Sequence, residues 1–464
     1  MRATQAAIAL ALVLGAGIPP AADAGTVYLS PRGSDAGTGA KGSPLRTLGA
    51  AWRKIPEGNA GRWTLALAPG DYRRGAPQYW EGRSGQITIT GPPAGTARLA
   101  PMNVYRVSGL TLRNLRLSGG GDVFHCELCR SLTLDRVTIR AGESQEAVKV
   151  NQSSRVTVRR SDIRGGQDNA FDAVAVQDLR LLDNRIGGAG DWCAYAKGGS
   201  SEVIVRGNLF TGCGTGGFSA GQGTGFQWMT PPYLHHEARG VLVEGNTITD
   251  VEGAAIGVQG GYNVLVRENI AMNVGRRSHV LEALYGGRSC DGSPGEEGRE
   301  RCGQYLQDGG WGTTRVDDGD NYVRIPNDRV YFFNNVILNE RASQWQVLEV
   351  PGPPPAQWQQ GSNVPAGGRA DSRLLFEGNV IWDGGPGHPL GLGESSCLAG
   401  STCAPAAVER ANQVNSRRPE LQELASGRLA RAGWVRSAPR ATPPAPDWSG
   451  RPAGEPAGWT RWPE

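Results

Sequence analysis

Lysine is scarce in this chain. Of the 48 basic residues only 4 are lysine, among them Lys149 and Lys197, and the others are arginine. Aromatic residues are also few, at 7% of 464 residues, whereas glycine reaches 69. This composition argues against a helical bundle and favours many tight turns between short strands.

The chain also lacks an excess of charge of one sign, and it has no long apolar run after residue 24. The formal charge of +4 is dispersed, which argues against a nucleic-acid footprint. Residues 1–24 combine Arg2, an apolar core and a small-residue site that ends at Ala24, as a signal peptide does. The core has about half of the roughly 20 apolar residues that a membrane span needs. We therefore expect cleavage after Ala24 and a secreted or periplasmic monomer without a membrane span.

The cysteines predict disulfides, because cysteines in an exported chain are more often paired than bound to metal. Several connectivities are open, and sequence neighbours favour the pairs Cys126–Cys129, Cys193–Cys213, Cys290–Cys302 and Cys397–Cys403. A zinc site at His125, Cys126 and Cys129 is the alternative. No second CxxC or HxxxH motif supplies its remaining ligands.

A repeat begins at Leu65, in which two apolar residues flank one other residue and polar positions follow, as in LTLRNL, VIVRGN and VLVREN. The sixth position of each unit falls at residues 70, 92, 115, 137, 161, 184, 208, 246, 269, 335 and 379. A leucine-rich repeat of similar length would need a helical half, which these units lack. Units of about 23 residues instead predict an all-β fold, a right-handed parallel β-helix (a β-solenoid) with three short strands per coil. Asn at six of the sixth positions predicts a stack of side-chain amides.

An N-terminal capping helix is expected before the repeat. Ser43 is the predicted cap and Pro44 suits the first turn. One apolar face is formed by Leu45, Leu48, Trp52 and Ile55.

The pattern divides the chain into segments, and the long intervals mark loops, where function often lies. The segments are 1–24 (signal peptide), 25–60 (strand and capping helix), 61–395 (β-helix, with loop insertions near 212–238 and 276–328) and 396–464 (C-terminal cap and extended tail).

A second alternating strand precedes the repeated one, as in EAVKVN and CAYAKG. If the alternate apolar residues face the core, the residues between them face solvent. The predicted outward face carries Lys149, Asn151, Gln177, Tyr195, Lys197 and Gln259. Nearby turns add Glu146, Asp168, Asp172 and Asp191.

Lysines on such a face suit chemistry on an acidic glycan. Breaking a uronate chain by β-elimination requires a base for a carbon-bound proton and a cation that neutralises the adjacent carboxylate. Lysine is a usable base when its environment lowers its pKa, whereas arginine is much harder to deprotonate. The alternative is that Lys149 and Lys197 are ordinary solvated residues.

The segments VYLSPRGSDAGTGAKGSPLRTLGAA and LAPGDYR, with the VxVxGN units, resemble the secreted right-handed parallel β-helix proteins of the pectate-lyase-like superfamily. That fold serves lyases, hydrolases, epimerases and adhesins. In its lyases a Lys or Arg acts as base beside Ca²⁺, which implies Lys197 as the base and Asp168, Asp172 and Asp191 as metal ligands. The chain lacks the paired-Asp calcium signature of the pectate lyases, and it lacks the NTD, DD, HG and RIK motifs of the polygalacturonase-type hydrolases.

The loop GFQWMTPPYLHHEARG offers further candidates. Phe226, Trp228 and Tyr233 are expected to stack on sugar rings. His235, His236 and Glu237 are expected to meet the substrate as acid, base or metal ligands. The alternative is a loop whose aromatic residues cover apolar surface.

The sequence thus predicts a secreted polysaccharide lyase that cleaves an acidic glycan. Lys197 is the expected base, Lys149 and Arg206 are expected to pair with uronate carboxylates, and Tyr195 or a loop histidine is expected to assist the leaving oxygen. The alternatives are a non-catalytic glycan-binding or cell-surface protein, or a hydrolase or epimerase on the same fold.

Overall fold

The computed structural model describes residues 25–142, 145–231, 233–290, 296–313, 323–340, 346–353, 359–384, 397 and 401–464. The predicted signal peptide lies outside these residues. None of the helices in these ranges is long and apolar enough to cross a membrane.

Three long parallel sheets form a right-handed parallel β-helix, as predicted. The first sheet contains the strands Gly25–Leu29, Gly58–Leu67, Arg83–Thr90, Ser108–Arg113, Arg130–Asp135, Ser154–Arg159, Gln177–Leu182, Ser200–Arg206, Ala238–Glu244, Gly261–Arg267, Asp328–Phe333 and Leu375–Glu377. The second contains Gly70–Asp71, Ala97–Leu99, Leu115–Gly119, Thr138–Ala141, Asp162–Arg164, Arg185–Gly187, Leu209–Thr211, Thr247–Thr249, Ile270–Met272, Val336–Leu338, Val380–Trp382 and Gln413–Val414. The third contains Met102–Tyr105, Phe124–Glu127, Val148–Asn151, Phe171–Val174, Trp192–Lys197, Gly216–Ala220, Ala254–Gln259, His279–Leu284 and Gln346–Glu349.

Smaller sheets and helices lie outside the three long sheets. A small sheet joins Gly223–Gly225, Gly286–Ser289 and Val323–Ile325, and a hairpin pairs Glu420–Glu423 with Leu429–Ala432. The helices are Leu48–Lys54, Glu296–Gln307 and Pro405–Ala411, with 3₁₀ turns at Phe226–Trp228 and Gly433–Ser437. Both predicted loop insertions therefore contain strands, including Gly216–Ala220 and His279–Leu284 of the third sheet.

Alternation of apolar and polar residues builds each coil. Val148 and Val150 are fully buried, while Lys149 and Asn151 between them face outward and are half-buried. Each strand hydrogen-bonds to its equivalents in the coils before and after it, so the core is continuous along the rod.

The predicted asparagine stack is confirmed. It runs along the turn between the first and second sheets through Asn184, Asn208, Asn246, Asn269, Asn335 and Asn379, and it continues to Asn412. In each step the backbone N–H of one asparagine donates to the side-chain oxygen of the next, as from Asn208 to Asn246 Oδ1 at 2.9 Å. The amide Nδ2 of Asn246 also donates to the carbonyl of Val205 (2.8 Å). The stack thereby satisfies backbone groups that the turn would otherwise leave buried and unpaired.

The N-terminal helix covers the end of the rod with the predicted apolar face. Its cap is Thr47, whose side chain accepts from Ala50 N (3.2 Å), and not Ser43. Ser43 instead lies in the preceding turn, where its backbone N–H donates to the carbonyl of Ala40 (2.9 Å).

The four predicted disulfides are present: Cys126–Cys129, Cys193–Cys213, Cys290–Cys302 and Cys397–Cys403. The disulfide between Cys126 and Cys129 removes the thiolates that the alternative zinc site would need. Disulfides are typical of an oxidising, extracellular compartment.

A C-terminal segment lies back along the middle of the rod. Glu455 pairs with Arg239 (3.2 Å), Asp447 pairs with Arg329 (2.8 Å), and the carbonyl of Pro463 accepts from Arg206 (2.9 Å). Residues from about 441 onward therefore act as a strap across coils that precede them by up to 258 positions in sequence.

Candidate functional site

The outward positions of the third sheet line up from coil to coil in two rows. Strand pairing aligns His125, Lys149, Asp172 and Tyr195 in the first row. The second row, two residues further along each strand, holds Glu127, Asn151, Val174 and Lys197. Neighbouring members of a row lie on adjacent strands, about 4.8 Å apart at the backbone.

These rows form the floor of a groove of about 610 Å³. Trp228 forms a wall, and at 54% exposure it is one of the few large apolar residues that faces solvent. Glu146, which precedes the Val148–Asn151 strand, closes another side. The groove thus combines ammonium, carboxyl, imidazole and phenol groups with an exposed aromatic ring, a combination suited to a sugar chain.

Lys149 lies between two buried carboxyl groups. Its Nζ is 3.3 Å from Glu146 Oε2 and 3.6 Å from Asp172 Oδ2. Burial, followed by repulsion from Asp172, raises the pKa of Glu146 to about 8, so Glu146 is largely protonated at neutral pH. Burial alone would lower the pKa of Lys149, but Asp172 and Glu146 outweigh it and the pKa is raised. Lys149 therefore stays charged, with Asp172 as its main counter-ion.

His125 and Tyr195 flank this pair in the first row. Burial lowers the pKa of His125 below its usual value, so the imidazole is neutral at neutral pH. Its Nε2 is buried and has no hydrogen-bond partner within the described part of the chain. Burial, and then the charges of Asp172 and Glu146, raise the pKa of Tyr195 well above its ordinary value, so it stays a neutral phenol.

Lys197 lies at the other end of the groove. Its Nζ is 4.4 Å from the centre of the Tyr195 ring and donates to Gln222 Oε1 (2.9 Å). The ammonium is held over an aromatic face and by one neutral acceptor, an arrangement that leaves it able to bind an anion.

Of the candidates predicted from sequence, the structure gathers seven at the groove: Glu146, Lys149, Asn151, Asp172, Tyr195, Lys197 and Trp228. Gln177 is not among them, because Val174 occupies the row position between Asn151 and Lys197. Gln177 begins a strand of the first sheet and donates to the carbonyl of Gly199 (3.0 Å). Gln259 does share the row of Lys197, two coils later, where it donates to Glu282 Oε1 (2.6 Å).

Arg206 also lies away from the groove. It ends a strand of the first sheet, pairs with Glu244 Oε2 (2.8 Å) and donates to the carbonyl of Glu464 (2.8 Å). The sequence predicted that Arg206 pairs with uronate carboxylates near Lys149, but the two residues lie on different sheets of the rod.

The loop residues after Trp228 fold into the protein. Tyr233 packs with Phe226 and is 6% exposed. His235 Nδ1 contacts Glu455 Oε1 at 2.8 Å. The ring of His236 is stacked on Tyr262, and burial lowers its pKa to about 3. The loop after Trp228 thus agrees with the alternative predicted from sequence, in which its aromatic residues cover apolar surface.

Glu237 is fully buried and forms an ion pair with Arg288 at 2.5 Å. Its other oxygen accepts from the backbone N–H of Gly198 (3.0 Å) and from Thr224 Oγ1 (2.5 Å). These bonds correct the prediction that Glu237 touches substrate. The pair instead fixes the turn that follows Lys197.

The predicted calcium ligands do not converge. Asp172 points into the groove, whereas Asp168 is exposed on a turn and Asp191 lies on the equivalent turn of the next coil. The described residues contain no group of three His, Cys, Asp or Glu side chains arranged to hold a metal ion. The donor set therefore does not fit a calcium site.

The sequence did not indicate His125, Glu127 or the protonation of Glu146 as features of the site. Their recognition depends on register between strands and on burial. A usable signal was the spacing of His125 and Lys149 by 24 residues, which is one coil.

Comparisons with known proteins give one family model, which agrees with this fold, and several solved structures that resemble the chain. A family model described as a right handed beta helix region matches residues 98–228. A rhamnogalacturonan lyase is similar in structure, with a TM-score of 0.44, 12% identity and coverage of 76% of this chain and 87% of the lyase. A mannuronan C-5 epimerase A-module of Azotobacter vinelandii has a TM-score of 0.48 and 13% identity, with coverage of 79% of this chain and 93% of the module. A polysaccharide lyase of Pseudopedobacter saltans has a TM-score of 0.37 and 13% identity, with coverage of 80% of this chain and 91% of the lyase. A search of curated protein sequences finds no significant match.

Proposed function

We propose that this right-handed parallel β-helix protein binds a uronate-containing polysaccharide in the groove of the third sheet and cleaves it by β-elimination. The observation that carries the proposal is the first row, in which a charged Lys149 lies next to a neutral His125 with an unpaired Nε2. Elimination needs both groups: a cation for the carboxylate and a base for the proton beside it.

In the proposed reaction Lys149 binds the uronate carboxylate and stabilises the charge that develops when the adjacent C5 proton leaves. The His125 ring turns so that Nε2, which is buried in the free protein, faces the groove and takes that proton. The C4–O bond then breaks and a C4=C5 double bond forms. The protonated carboxyl of Glu146 supplies the proton that the departing oxygen needs. No metal takes part in these steps.

Lys197 has two candidate roles. Its place above the Tyr195 ring suits a second contact with a carboxylate in a neighbouring sugar. The role predicted from sequence, that of the base, remains the alternative to His125, and variants separate the two.

The protonation of Glu146 also favours an acidic ligand. With Glu146 neutral, the groove lining holds the two ammonium groups of Lys149 and Lys197 and the carboxyl groups of Asp172 and Glu127. Ionisation of Glu146 as the pH rises past about 8 would add a negative charge beside the substrate carboxylate. We therefore expect binding and activity to fall on the alkaline side of that pH.

The test is incubation of the purified protein with a panel of polyuronates, followed by the ultraviolet absorbance of the unsaturated uronide. We expect a signal with at least one polymer and its loss in Lys149→Ala and His125→Ala. Lys54→Ala, which removes an exposed lysine of the capping helix, is the matched control and should behave as the parent protein. Full activity of Lys149→Ala would refute the mechanism, and loss of activity in Lys197→Ala but not in His125→Ala would assign the base to Lys197.

A second reaction is favoured by one observation. Glu146, neutral at neutral pH, and Asp172 share the ammonium of Lys149, and two carboxyl groups in different protonation states are what glycosidic hydrolysis requires. Hydrolysis would release reducing ends without the ultraviolet signal, so measuring both products separates the two reactions. Absence of both products, with binding retained, would indicate a glycan-binding protein.

A further inference from the structure

A second charged groove lies on the second sheet, on a different face from the candidate site. It has a volume of about 440 Å³, and its lining includes four arginines with one aspartate: Arg73, Arg98, Arg116, Arg140 and Asp162. None of the lining residues is aromatic. The groove is therefore open to a ligand that is bound through charge.

Two of the four arginines are already neutralised. Arg73 pairs with Asp71 and Arg140 pairs with Asp162, each at 2.5 Å. Arg98 and Arg116 are exposed and lie directly opposite each other on adjacent strands. Neither guanidinium group forms an ion pair or hydrogen bond with a residue in the described ranges. Asp71, which lies opposite Arg98 on the preceding strand, is paired with Arg73. They present two free guanidinium groups, about 4.8 Å apart at the backbone along the rod axis.

The neighbouring turn extends the excess of positive charge. Asp135 is 1% exposed and lies among four arginines, at 2.7 Å from Arg160, 3.2 Å from Arg159, 3.4 Å from Arg113 and 3.5 Å from Arg136. Burial would raise the pKa of Asp135, but the hydrogen bond from Arg160 and the other guanidinium groups outweigh it and hold the pKa below its usual value. One carboxylate cannot neutralise four guanidinium groups, so this corner remains strongly basic.

We propose that this arginine surface, defined by Arg98 and Arg116 with the cluster around Asp135, is a second binding site for a strand of acidic polysaccharide that runs along the rod. Guanidinium groups bind carboxylate and sulfate through paired hydrogen bonds. Their repeat from coil to coil matches a polymer that carries an anionic group on successive sugars. A single-stranded nucleic acid is disfavoured, because its binding sites use aromatic side chains on which bases stack.

The site differs from the groove of the third sheet in chemistry as well as in place. Its described lining residues include no group positioned as a base, and their unpaired cations are arginines. It binds polymer without cleaving it, and it holds long chains near the rod while the other groove acts on them.

The test uses the full chain in the His125→Ala background, so that polymer is bound and not cut. Arg98→Gln/Arg116→Gln is compared with Arg276→Gln/Arg410→Gln, which removes two exposed arginines elsewhere and changes the net charge equally. Affinity for polygalacturonate, heparin and single-stranded DNA is measured by affinity electrophoresis at several salt concentrations. We expect the first double variant to lose at least about tenfold in affinity for one of the acidic glycans, equivalent to about 1.4 kcal/mol, and the second to be unchanged.

Equal affinity of the two double variants would overturn the proposal, and so would tighter binding of DNA than of both glycans. Whether carboxylate or sulfate is preferred follows from comparing polygalacturonate with heparin. The Lys149→Ala variant separates this proposal from the proposed function, because it should retain polymer binding at the arginine surface even if no cleavage activity is found.

Discussion

Replacing Glu146 by glutamine tests the electrostatics of the groove without the need to know the substrate. The pKa of Glu146 is about 8 in the folded chain and has its ordinary value of 4.5 in the unfolded chain. Below about pH 4.5 the carboxyl is therefore protonated in both states. Between these values only the folded chain holds the proton, so the stability of the parent protein falls as the pH rises and reaches its lower level above about pH 8. The full difference corresponds to roughly 5 kcal/mol.

Glu146→Gln cannot ionise and should lack this slope. We expect the variant to be close to the parent in free energy of unfolding at about pH 5 and more stable by several kcal/mol at about pH 9. The assay is urea unfolding of both proteins across that range, with Glu127→Gln, a second carboxyl of the groove lining, as the control. Parallel loss of stability in the parent and in Glu146→Gln would show that Glu146 titrates normally, and the proposed proton donor would then be wrong.

Three further predictions concern other parts of the molecule. Asn246→Ala breaks the asparagine stack and leaves Asn208 N and the carbonyl of Val205 buried without partners, so we expect a loss of about 3 kcal/mol in urea unfolding. Arg288→Met leaves the carboxylate of Glu237 buried and unpaired, which should cost about 3–5 kcal/mol, whereas Glu237→Leu/Arg288→Met should recover much of that loss in the same assay. If Lys149 neutralises the substrate carboxylate, any cleavage activity should survive EDTA, and a loss restored by added Ca²⁺ would show that a metal has that role.

The period of the repeat was sufficient to predict the coil, because each unit must return the chain to the same face of the rod. It also predicted the asparagine stack and the outward direction of Lys149 and Lys197. The error at Gln177 has a specific cause: Val174 and Val176 continue the apolar alternation through the turn, so the pattern does not reveal where the strand ends.

The chemistry of the site was less predictable, because it depends on contacts between distant segments. Glu237 forms its ion pair with Arg288, which lies 51 residues further along the chain. The neutral state of His125 and the protonated state of Glu146 arise from burial, which composition and spacing do not report. Sequence patterns thus located the face of the rod but not the protonation state of its side chains.

The strap formed by the C-terminal segment bears on how the rod is assembled. Stacked coils contact only their neighbours, so a simple solenoid can grow from one end as each coil docks on the one before it. Here Arg239 obtains its carboxylate partner, Glu455, from residues 447–464. Arg206 and Arg329 already pair with Glu244 and Asp328 in the coils and gain further contacts from the same segment. The buried Arg239 therefore lacks its ion-pair partner until that segment arrives, so a late closing step follows the stepwise extension of the coils.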